Sequence, residues 1–456
     1  MTQNNIKRND FTEGKILSPL IRFVFPILFA MLIQSLYGAV DLLIVGQFSD
    51  AANVSAVSVG SQLMHSMTLI ITDLAVGTTV LLGQFIGQKK SEECGRVVGT
   101  TICIFTIIGI VLAIVMQPLA APVAAALNAP AEAFSQTVYY IRICCGGAIF
   151  IVAYNILGSI FRGIGDSKMP LITVLIAAAF NVAGDLLLVA VFGMGASGAA
   201  IATVMAQGLS VLLSFVIIRR KGVPFTFKTS DIKFHRDLVG RVLVLGLPIA
   251  FQDLLVSMSF LVIMAVINKL GVIASAGIGV AEKLCGFIML LPSAFSQAMS
   301  SFVAQNYGAR KMRRAEKALA SGIALSFVCS LFLGYLAFFH GAWLSTVFSR
   351  DAAVCVASGE YLKGYGIDCL QTAFLFCFIG YFNGCQKTRF VLLQGIVGAF
   401  GVRVPLCILF SRMLPVSIFR ISLATPASSL IQNIMCVIYF LMLRKSYLNR
   451  SDCPPA

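Results

Sequence analysis

The polar positions of this 456-residue chain are gathered into short segments, and long apolar stretches separate them. A helix that spans the hydrocarbon core of a membrane needs about 20 mainly apolar residues. Twelve stretches meet this requirement, at approximately 19–46, 53–83, 98–118, 134–160, 169–192, 197–219, 238–267, 272–304, 316–340, 355–382, 390–411 and 418–443. Alternation with a period of two residues, which would indicate a membrane β-barrel, is weak throughout. The pattern therefore predicts an all-α polytopic membrane protein with twelve transmembrane helices.

Two polar loops of the first half recur in the second half, in the same order and 221 residues later. The segment 84–90 (QFIGQKK) recurs at 305–311 (QNYGARK), and the segment 161–168 (FRGIGDSK) recurs at 382–389 (FNGCQKTR). Because each half holds an even number of spans, the two halves share one orientation and the repeat is parallel. Duplicated helical bundles are common among secondary transporters, whose substrates bind between the halves.

The longest polar connection, from Arg219 to Arg241, divides the chain between these halves and carries seven basic residues. We expect a cytoplasmic amino-terminal segment at 1–18, a first six-helix lobe at 19–218, a linker at 219–237, a second lobe at 238–443 and a cytoplasmic tail at 444–456. The basic linker is typical of a cytoplasmic loop that lies near anionic lipid.

Composition and charge agree with a membrane location. Hydrophobic residues make up 58% and charged residues 12% of the chain, whereas soluble domains are about 25% charged. The net charge of +15 does not indicate nucleic-acid binding, because Lys and Arg collect in alternate loops. The opposite loops hold few basic residues, namely Lys269, Arg350, Arg412 and Arg420. This positive-inside pattern predicts that both termini lie in the cytoplasm, with the spans in a plasma membrane.

The sequence offers no motif for an enzyme or an ATP-driven pump. It has no Walker A sequence, so ATP is not expected as the energy source. The three histidines have no metal-ligand spacing, and no catalytic triad or dyad can be assembled from the motifs. We therefore expect a protein that is not an enzyme, and that has no cofactor or metal other than a coupling ion.

Ionisable side chains within the predicted spans are costly, and such residues usually mark a pathway. On the first span, Gln34, Tyr37 and Asp41 share one helix face. On the fifth span, Asn181 and Asp185 also share a face.

Thr203 lies at the same depth in the sixth span. Two carboxylates, an amide oxygen and a hydroxyl are hard oxygen ligands, which suit Na⁺ or a carboxyl that takes up a proton. A purely structural role, in which these groups hydrogen-bond the helices together, is the alternative. The second half has Ile263 where the first half has Asp41, and the role of Asp73 stays open.

Several motifs resemble those of the multidrug and toxic compound extrusion (MATE) transporters, and the resemblance covers essentially the whole chain. The segments are 37–46 (YGAVDLLIVG), 83–87 (GQFIG), 161–167 (FRGIGDS), 181–185 (NVAGD), 198–203 (GAAIAT) and 305–309 (QNYGA). They are most similar to the MepA-like branch of bacterial multidrug exporters.

This resemblance implies a V-shaped protein of two lobes that exports lipophilic organic cations by antiport with H⁺ or Na⁺. The cation site that it implies consists of Asp41, Asn181, Asp185 and Thr203, and the polar lining of the first-lobe cavity consists of Gln34, Tyr37 and Asn155. Some branches rely on acids of the second lobe, for which this chain offers Asp253, Glu282 and Asp368.

Two alternatives belong to other classes of function. A flippase for lipid-linked glycans, from the same superfamily, would have a strongly cationic cavity and often additional spans. A membrane-embedded transferase would need a catalytic cluster at one membrane face. Because two internal halves already complete a pathway, we expect a monomer to suffice.

Overall fold

The computed structural model describes residues 11–451, except for the side chains of Tyr37 and of residues 448–451, and these residues are almost entirely helical. The outer parts of both terminal segments, 1–10 and 452–456, lie outside this description. The first-half helices are α1 (Leu17–Phe48), α2 (Ala51–Gly87), α3 (Ser91–Ala126), α4 (Phe134–Gly146), α5 (Ala148–Gly163), α6 (Lys168–Asp185) and α7 (Gly195–Lys221).

The second-half helices follow the same order. They are α8 (Arg236–Asn268), α9 (Val272–Gly308), α10 (Met312–Ser345), α11 (Ala352–Gly384), α12 (Thr388–Ile396), α13 (Val404–Arg412), α14 (Ile418–Ser422) and α15 (Ala424–Ser451). Short π-helical turns extend α6 and join α12 to α13. Within the described chain, eleven helical segments are long and apolar enough to cross a membrane. The bent pair α4–α5 supplies a twelfth, and the predicted all-α polytopic fold is confirmed.

The repeated loops have the same backbone geometry. Lys89 and its counterpart Arg310 both have positive φ angles, of 59° and 57°. Each loop closes with a similar hydrogen bond, from the Lys90 amide to the Phe85 carbonyl and from the Lys311 amide to the Asn306 carbonyl. Left-handed residues with such bonds are a common way to end a helix. The sequence repeat therefore reflects a repeat of structure.

The chain forms two compact units whose boundaries lie inside helices. One unit extends to Ala250 and also includes Ser301–Arg314, and the other comprises Phe251–Ser300 and continues from Ala315. The first unit therefore contains the linker 219–237 together with the end of α9.

Within the first unit, the segment 11–15 is fastened to the end of α9 and the start of α10. The ring of Phe11 is fully buried, and its centroid lies 4.8 Å from that of Phe302. The Arg314 guanidinium donates to the backbone carbonyls of Phe11, Glu13 and Gly14, each at 2.7 Å. Lys311 donates to the carbonyl of Thr12 at 2.9 Å. The segment 11–15 is therefore held by charge-assisted hydrogen bonds.

We expect Arg314→Ala to loosen this segment and to lower stability by about 2 kcal/mol, because hydrogen bonds from charged donors are lost. The measurement is thermal melting of the purified protein together with the rate of proteolysis before α1. Arg313→Ala is the matched control, since the neighbouring Arg313 is exposed. Equal behaviour of the two variants would show that the Arg314 bonds do not hold the segment.

Candidate functional site

Helices α1, α6 and α7 bring the predicted first-half residues together. Helices α6 and α7 approach closely because small residues face each other: a Cβ atom on Gly184 would lie 3.0 Å from the Cβ of Ala202. Small residues allow such approach between membrane helices. The start of α7 is fixed by α2, where Asn53 accepts a hydrogen bond of 2.8 Å from the Ala196 amide. These contacts set the depth at which the side chains of α6 and α7 meet α1.

The four predicted ion-binding residues form one cluster. The Thr203 hydroxyl donates to Oδ2 of Asp41 at 3.3 Å, and the Asn181 amide nitrogen donates to the Thr203 hydroxyl at 3.4 Å. The Asp41 carboxyl also interacts with Asn181 and with the carboxyl of Asp185. Asp41 is 4% exposed, and Asn181 and Asp185 are fully buried. Side chains from three separate helices, α1, α6 and α7, therefore meet in one buried cluster.

Four oxygen atoms of this cluster have no hydrogen-bond partner among the described residues. They are Oδ1 of Asp41, Oδ1 of Asn181 and both carboxylate oxygens of Asp185. Leaving buried oxygens unsatisfied is costly, and leaving two buried carboxylates uncompensated is more so. The cluster is therefore chemically suited to bind a small cation or protons through oxygen.

A small cavity adjoins the cluster on the side of α5. Asn181 and Thr203 line it, and so do Tyr154 and Gln207, together with apolar side chains of α6 and α7. Gln207 was not singled out from the sequence, although a glutamine four residues after Thr203 lies on the same face of α7. Polar groups in the cavity wall give the cluster a side that a ligand could approach.

The remaining predicted cavity residues have different surroundings. Asn155 is buried and already engaged, since its side-chain oxygen accepts from the Thr72 hydroxyl at 2.9 Å and its amide donates to the Ile151 carbonyl at 2.8 Å. Asn155 thus links α2 to α5. Gln34 is half-buried on α1. The side chain of Tyr37 lies outside the described part of the structure.

Tyr140 of α4 is a neighbour of the acidic cluster that the sequence pattern did not identify. It is 2% exposed and lies within electrostatic reach of both Asp41 and Asp185. Its ring packs where Gly60 of α2 has no side chain, since a Cβ there would lie 2.2 Å from the ring. Because α4 lies in the bent span, its rotation relative to α1 could not be predicted from periodicity.

Comparison with known proteins decides the family. The family model MatE matches twice, at residues 26–187 and 248–409. Both the starts and the ends of these matches are 222 residues apart, within one residue of the 221-residue offset of the repeated loops. This chain belongs to the MatE family. Its members are transporters and not enzymes, so the transferase alternative is set aside.

Named relatives of this MatE chain cover most of its length. It is 26% identical over 417 residues to the "Probable multidrug resistance protein YpnP" of Bacillus subtilis, covering 90% of this chain and 92% of that protein. It is 21% identical to the "Multidrug export protein MepA" of Staphylococcus haemolyticus, covering 85% of each. A solved structure of a "multidrug resistance MATE family transporter of the MOP superfamily" in an outward-facing conformation superposes with a TM-score of 0.89. That structure is 20% identical and covers 98% of this chain and 100% of its own, so it supports the fold.

The three second-half acids of the MatE chain are in unlike surroundings. Asp253 is exposed, Glu282 is half-buried and Asp368 is 3% exposed. Cys285 lies near both Glu282 and Asp368. The structure therefore places Glu282 and Asp368 in one neighbourhood, within the second compact unit.

Asp368 has a buried cation near it, which distinguishes it from the first-half acids. Arg403 is 5% exposed and interacts electrostatically with Asp368. The Arg403 guanidinium donates to the Ser259 hydroxyl at 3.1 Å and lies 4.5 Å from the centroid of the Phe260 ring. Ser429 hydrogen-bonds the Asp368 carboxyl. In the second half, the buried acid Asp368 thus lies near a positive charge that belongs to the protein itself.

The π-helical turn explains where Arg403 falls in the repeat. The loops before α12 follow an offset of 221, and the turn Val397–Arg403 adds one residue because a π turn bonds i to i+5 rather than i+4. At the resulting offset of 222, Arg403 is equivalent to Asn181 and Cys407 to Asp185. The second half therefore has an arginine where the first half has a neutral amide, and no acid at the positions of Asp41 and Asp185.

Arg403→Met is expected to lower the stability of the protein by about 2 kcal/mol, because the buried Asp368 loses a nearby positive charge and the Ser259 hydroxyl loses a charged hydrogen-bond donor. Adding Asp368→Asn should restore most of this loss. Thermal melting of the three proteins measures both effects, with Arg412→Met at the exposed end of α13 as a control for loss of a positive charge. If the double variant is as unstable as Arg403→Met, compensation of Asp368 is not the role of Arg403.

Proposed function

We propose that this MatE chain is a secondary active transporter that exports lipophilic organic cations in exchange for H⁺ or Na⁺. The observation that carries the proposal is the cluster of Asp41, Asn181, Asp185 and Thr203. It joins two buried carboxylates, and no Lys or Arg contacts them among the described residues. The buried negative charge of such a site is stabilised most by a mobile cation, which can bind and dissociate.

Antiport follows if the coupling ion and the exported cation compete for this negative site. When H⁺ or Na⁺ occupies the carboxylates, the attraction for an organic cation is lost, and when the ion leaves, the attraction returns. By linkage, each ligand weakens the binding of the other by the same factor. A gradient of the ion across the membrane then drives the organic cation the opposite way.

The names of the relatives support an exporter of broad specificity, since YpnP and MepA are both described as multidrug proteins. The chain also has 35 Phe and 16 Met. Aromatic and thioether side chains offer polarisable, adaptable contacts, and aromatic faces attract cations. A substrate cavity lined by such side chains would accept cations of differing shape.

The proposal assigns coupling to the first half alone. Arg403 supplies a fixed positive charge near Asp368, so a mobile coupling ion would stabilise this acid less than it stabilises Asp41 and Asp185. We further propose a location in a bacterial plasma membrane with both termini in the cytoplasm, and a monomer as the working unit. The alternating distribution of basic loops and the bacterial relatives support this orientation and location.

The test uses purified protein in proteoliposomes with ethidium as the exported cation. An imposed pH gradient or an imposed Na⁺ gradient is applied separately, and ethidium movement is followed by fluorescence. The proposal expects uphill movement with one of the two gradients and names the coupling ion by which one works. Protein that is folded but moves no ethidium under either gradient contradicts it, and a lipid-flipping assay on the same vesicles then tests the flippase alternative.

A further inference from the structure

The cavity beside the acidic cluster lies on one side of it along α6 and α7. These helices run antiparallel, because Asn181 contacts Thr203 and, further along, the Ser210 hydroxyl donates to the Thr173 carbonyl at 3.4 Å. The cavity wall includes residues that precede Asn181 on α6 and residues that follow Thr203 on α7, namely Val174, Ala177, Ala206 and Gln207. Both sets lie toward the end of α7 that leads into the linker. The cavity is therefore on the linker side of the cluster, which is the cytoplasmic side in the proposed orientation.

Two polar side chains in this wall have oxygen atoms without a hydrogen-bond donor. Oε1 of Gln207 and Oδ1 of Asn181 have no partner among the described residues, although Gln207 is only 9% exposed and Asn181 is fully buried. Buried acceptors of this kind are usually satisfied by the protein or by an ordered water. The cavity has room for about one water molecule, which can donate two hydrogen bonds. Its size and chemistry thus suit one water, or an ion of similar size.

The polar face of α7 continues beyond the cavity. Gln207, Ser210 and Ser214 follow Thr203 at steps that keep all four on one helix face. Ser210 and Ser214 are buried, and the Ser214 hydroxyl donates to the Ser210 carbonyl at 2.9 Å. Serines bonded in this way are common in membrane helices, but such bonding does not account for the unpartnered oxygen of Gln207. A row of polar groups therefore leads from the acidic cluster toward the linker end of α7.

A positive charge near the cavity wall is held on a different helix. Arg162, in the last turn of α5, interacts electrostatically with Tyr154 of the wall. Its guanidinium donates to the Ser159 hydroxyl at 2.8 Å and lies 3.2 Å from where a Cβ on Gly158 would be. The guanidinium is therefore held along α5, whereas the row of polar groups lies on α7.

The second half has a different residue at the position of Gln207. At the offset of 222 residues, Thr203 corresponds to Thr425 and Gln207 to Ser429. Ser429 hydrogen-bonds the Asp368 carboxyl, so this position is engaged with an acid of the protein. An unpartnered amide oxygen at this position is thus a property of the half whose acids have no fixed counter-charge.

We propose that the coupling ion moves between the carboxylates of Asp41 and Asp185 and the linker side of the first lobe through this cavity, where Gln207 orders a water molecule. The inference rests on the proposed antiport and deepens it by separating the paths of its two ligands. H⁺ can pass along a water held by acceptor oxygens, and Na⁺ can exchange carboxylate ligands for water and amide oxygens. A lipophilic organic cation is many times larger than a water molecule and cannot follow. The ion and the substrate then leave the shared acids on different sides.

The test compares two substitutions of Gln207 in proteoliposomes. Gln207→Leu removes the oxygen and fills its space with an apolar side chain, whereas Gln207→Ala removes the oxygen but leaves room for further water. We expect the initial rate of gradient-driven ethidium efflux to fall at least tenfold in Gln207→Leu and at most threefold in Gln207→Ala. Gln47→Leu, at an exposed position near the end of α1, is the matched control for loss of an amide and should transport like the wild-type protein.

A second measurement separates slower movement of the ion from weaker binding at the acids. Ethidium is titrated into each variant in nanodiscs at low and high concentrations of the coupling ion. The apparent Kd should still rise with the ion in Gln207→Leu, because both carboxylates remain. Wild-type efflux by Gln207→Leu, an equal loss in both Gln207 variants, or a Kd of Gln207→Leu that no longer responds to the ion would each overturn the path. Absence of gradient-driven efflux in the wild-type protein would instead reject the antiport itself, and the path with it.

Discussion

Replacing Asp41 by asparagine is expected to abolish gradient-driven efflux while leaving the protein folded. Asparagine has nearly the shape of aspartate, and its side-chain oxygen can still accept the hydrogen bond from Thr203. What is lost is the negative charge for which the two cations compete. Because loss of a buried charge interaction costs about 3 kcal/mol, coupled transport should fall by roughly 100-fold. Ethidium efflux from proteoliposomes measures the loss.

The matched control for this variant is Asp50→Asn. Asp50 precedes α2 and caps it by accepting from the Asn53 amide at 2.9 Å. Asparagine caps helices about as well as aspartate, so this change also removes one charge but should leave both stability and transport unchanged. Undiminished efflux by Asp41→Asn would falsify the assignment of the coupling site, and an equal loss in both variants would point to a general effect of charge.

The largest structural effect is expected at the glycine pair of the repeated loops. A Cβ atom on Gly87 would lie 1.9 Å from the Gln305 carbonyl oxygen, and one on Gly308 would lie 2.0 Å from the Gln84 carbonyl oxygen. The two motifs thus meet backbone to backbone, and Gln305 adds a hydrogen bond of 3.0 Å to the Gly163 carbonyl. Any side chain at either glycine must push these helix ends apart.

We expect Gly87→Ala and Gly308→Ala each to lower the stability of the protein by about 3 kcal/mol through overpacking. Because both act on one contact, the double variant should lose clearly less than the sum of the single losses. Thermal melting of all three variants measures this, with Gly240→Ala as a control, since nothing lies within 4 Å of a Cβ there. Fully additive losses would contradict a shared contact.

Much of the fold could be predicted because a helix that crosses a lipid bilayer must be long and mainly apolar. Apolar stretches long enough to cross a membrane marked twelve spans, but the bend between α4 and α5 was hidden, since hydropathy does not report a break near Gly147. The repeat was visible because its loops need the same residues to end helices. Periodicity also placed Asp41, Asn181 and Asp185 on defined faces.

The rest of the site depended on information that a sequence pattern does not contain. Spacing along one helix could not show that three helices converge, and it could not place Tyr140 beside the acids. The role of Arg403 was hidden for another reason: the π turn shifts the repeat by one residue, so the 221-residue offset of the loops does not pair Arg403 with Asn181. The contact between Arg403 and Ser259 is likewise visible only in three dimensions.

The most direct test of the central claim measures competition at equilibrium, without any gradient. Tetraphenylphosphonium, a lipophilic cation, is titrated into the protein in nanodiscs over a series of pH values and Na⁺ concentrations. The account predicts that the apparent Kd rises as one of the two ions increases and that this dependence disappears in Asp41→Asn. An affinity that is independent of both ions, or a dependence that persists unchanged in Asp41→Asn, would contradict a shared site at the first-half carboxylates.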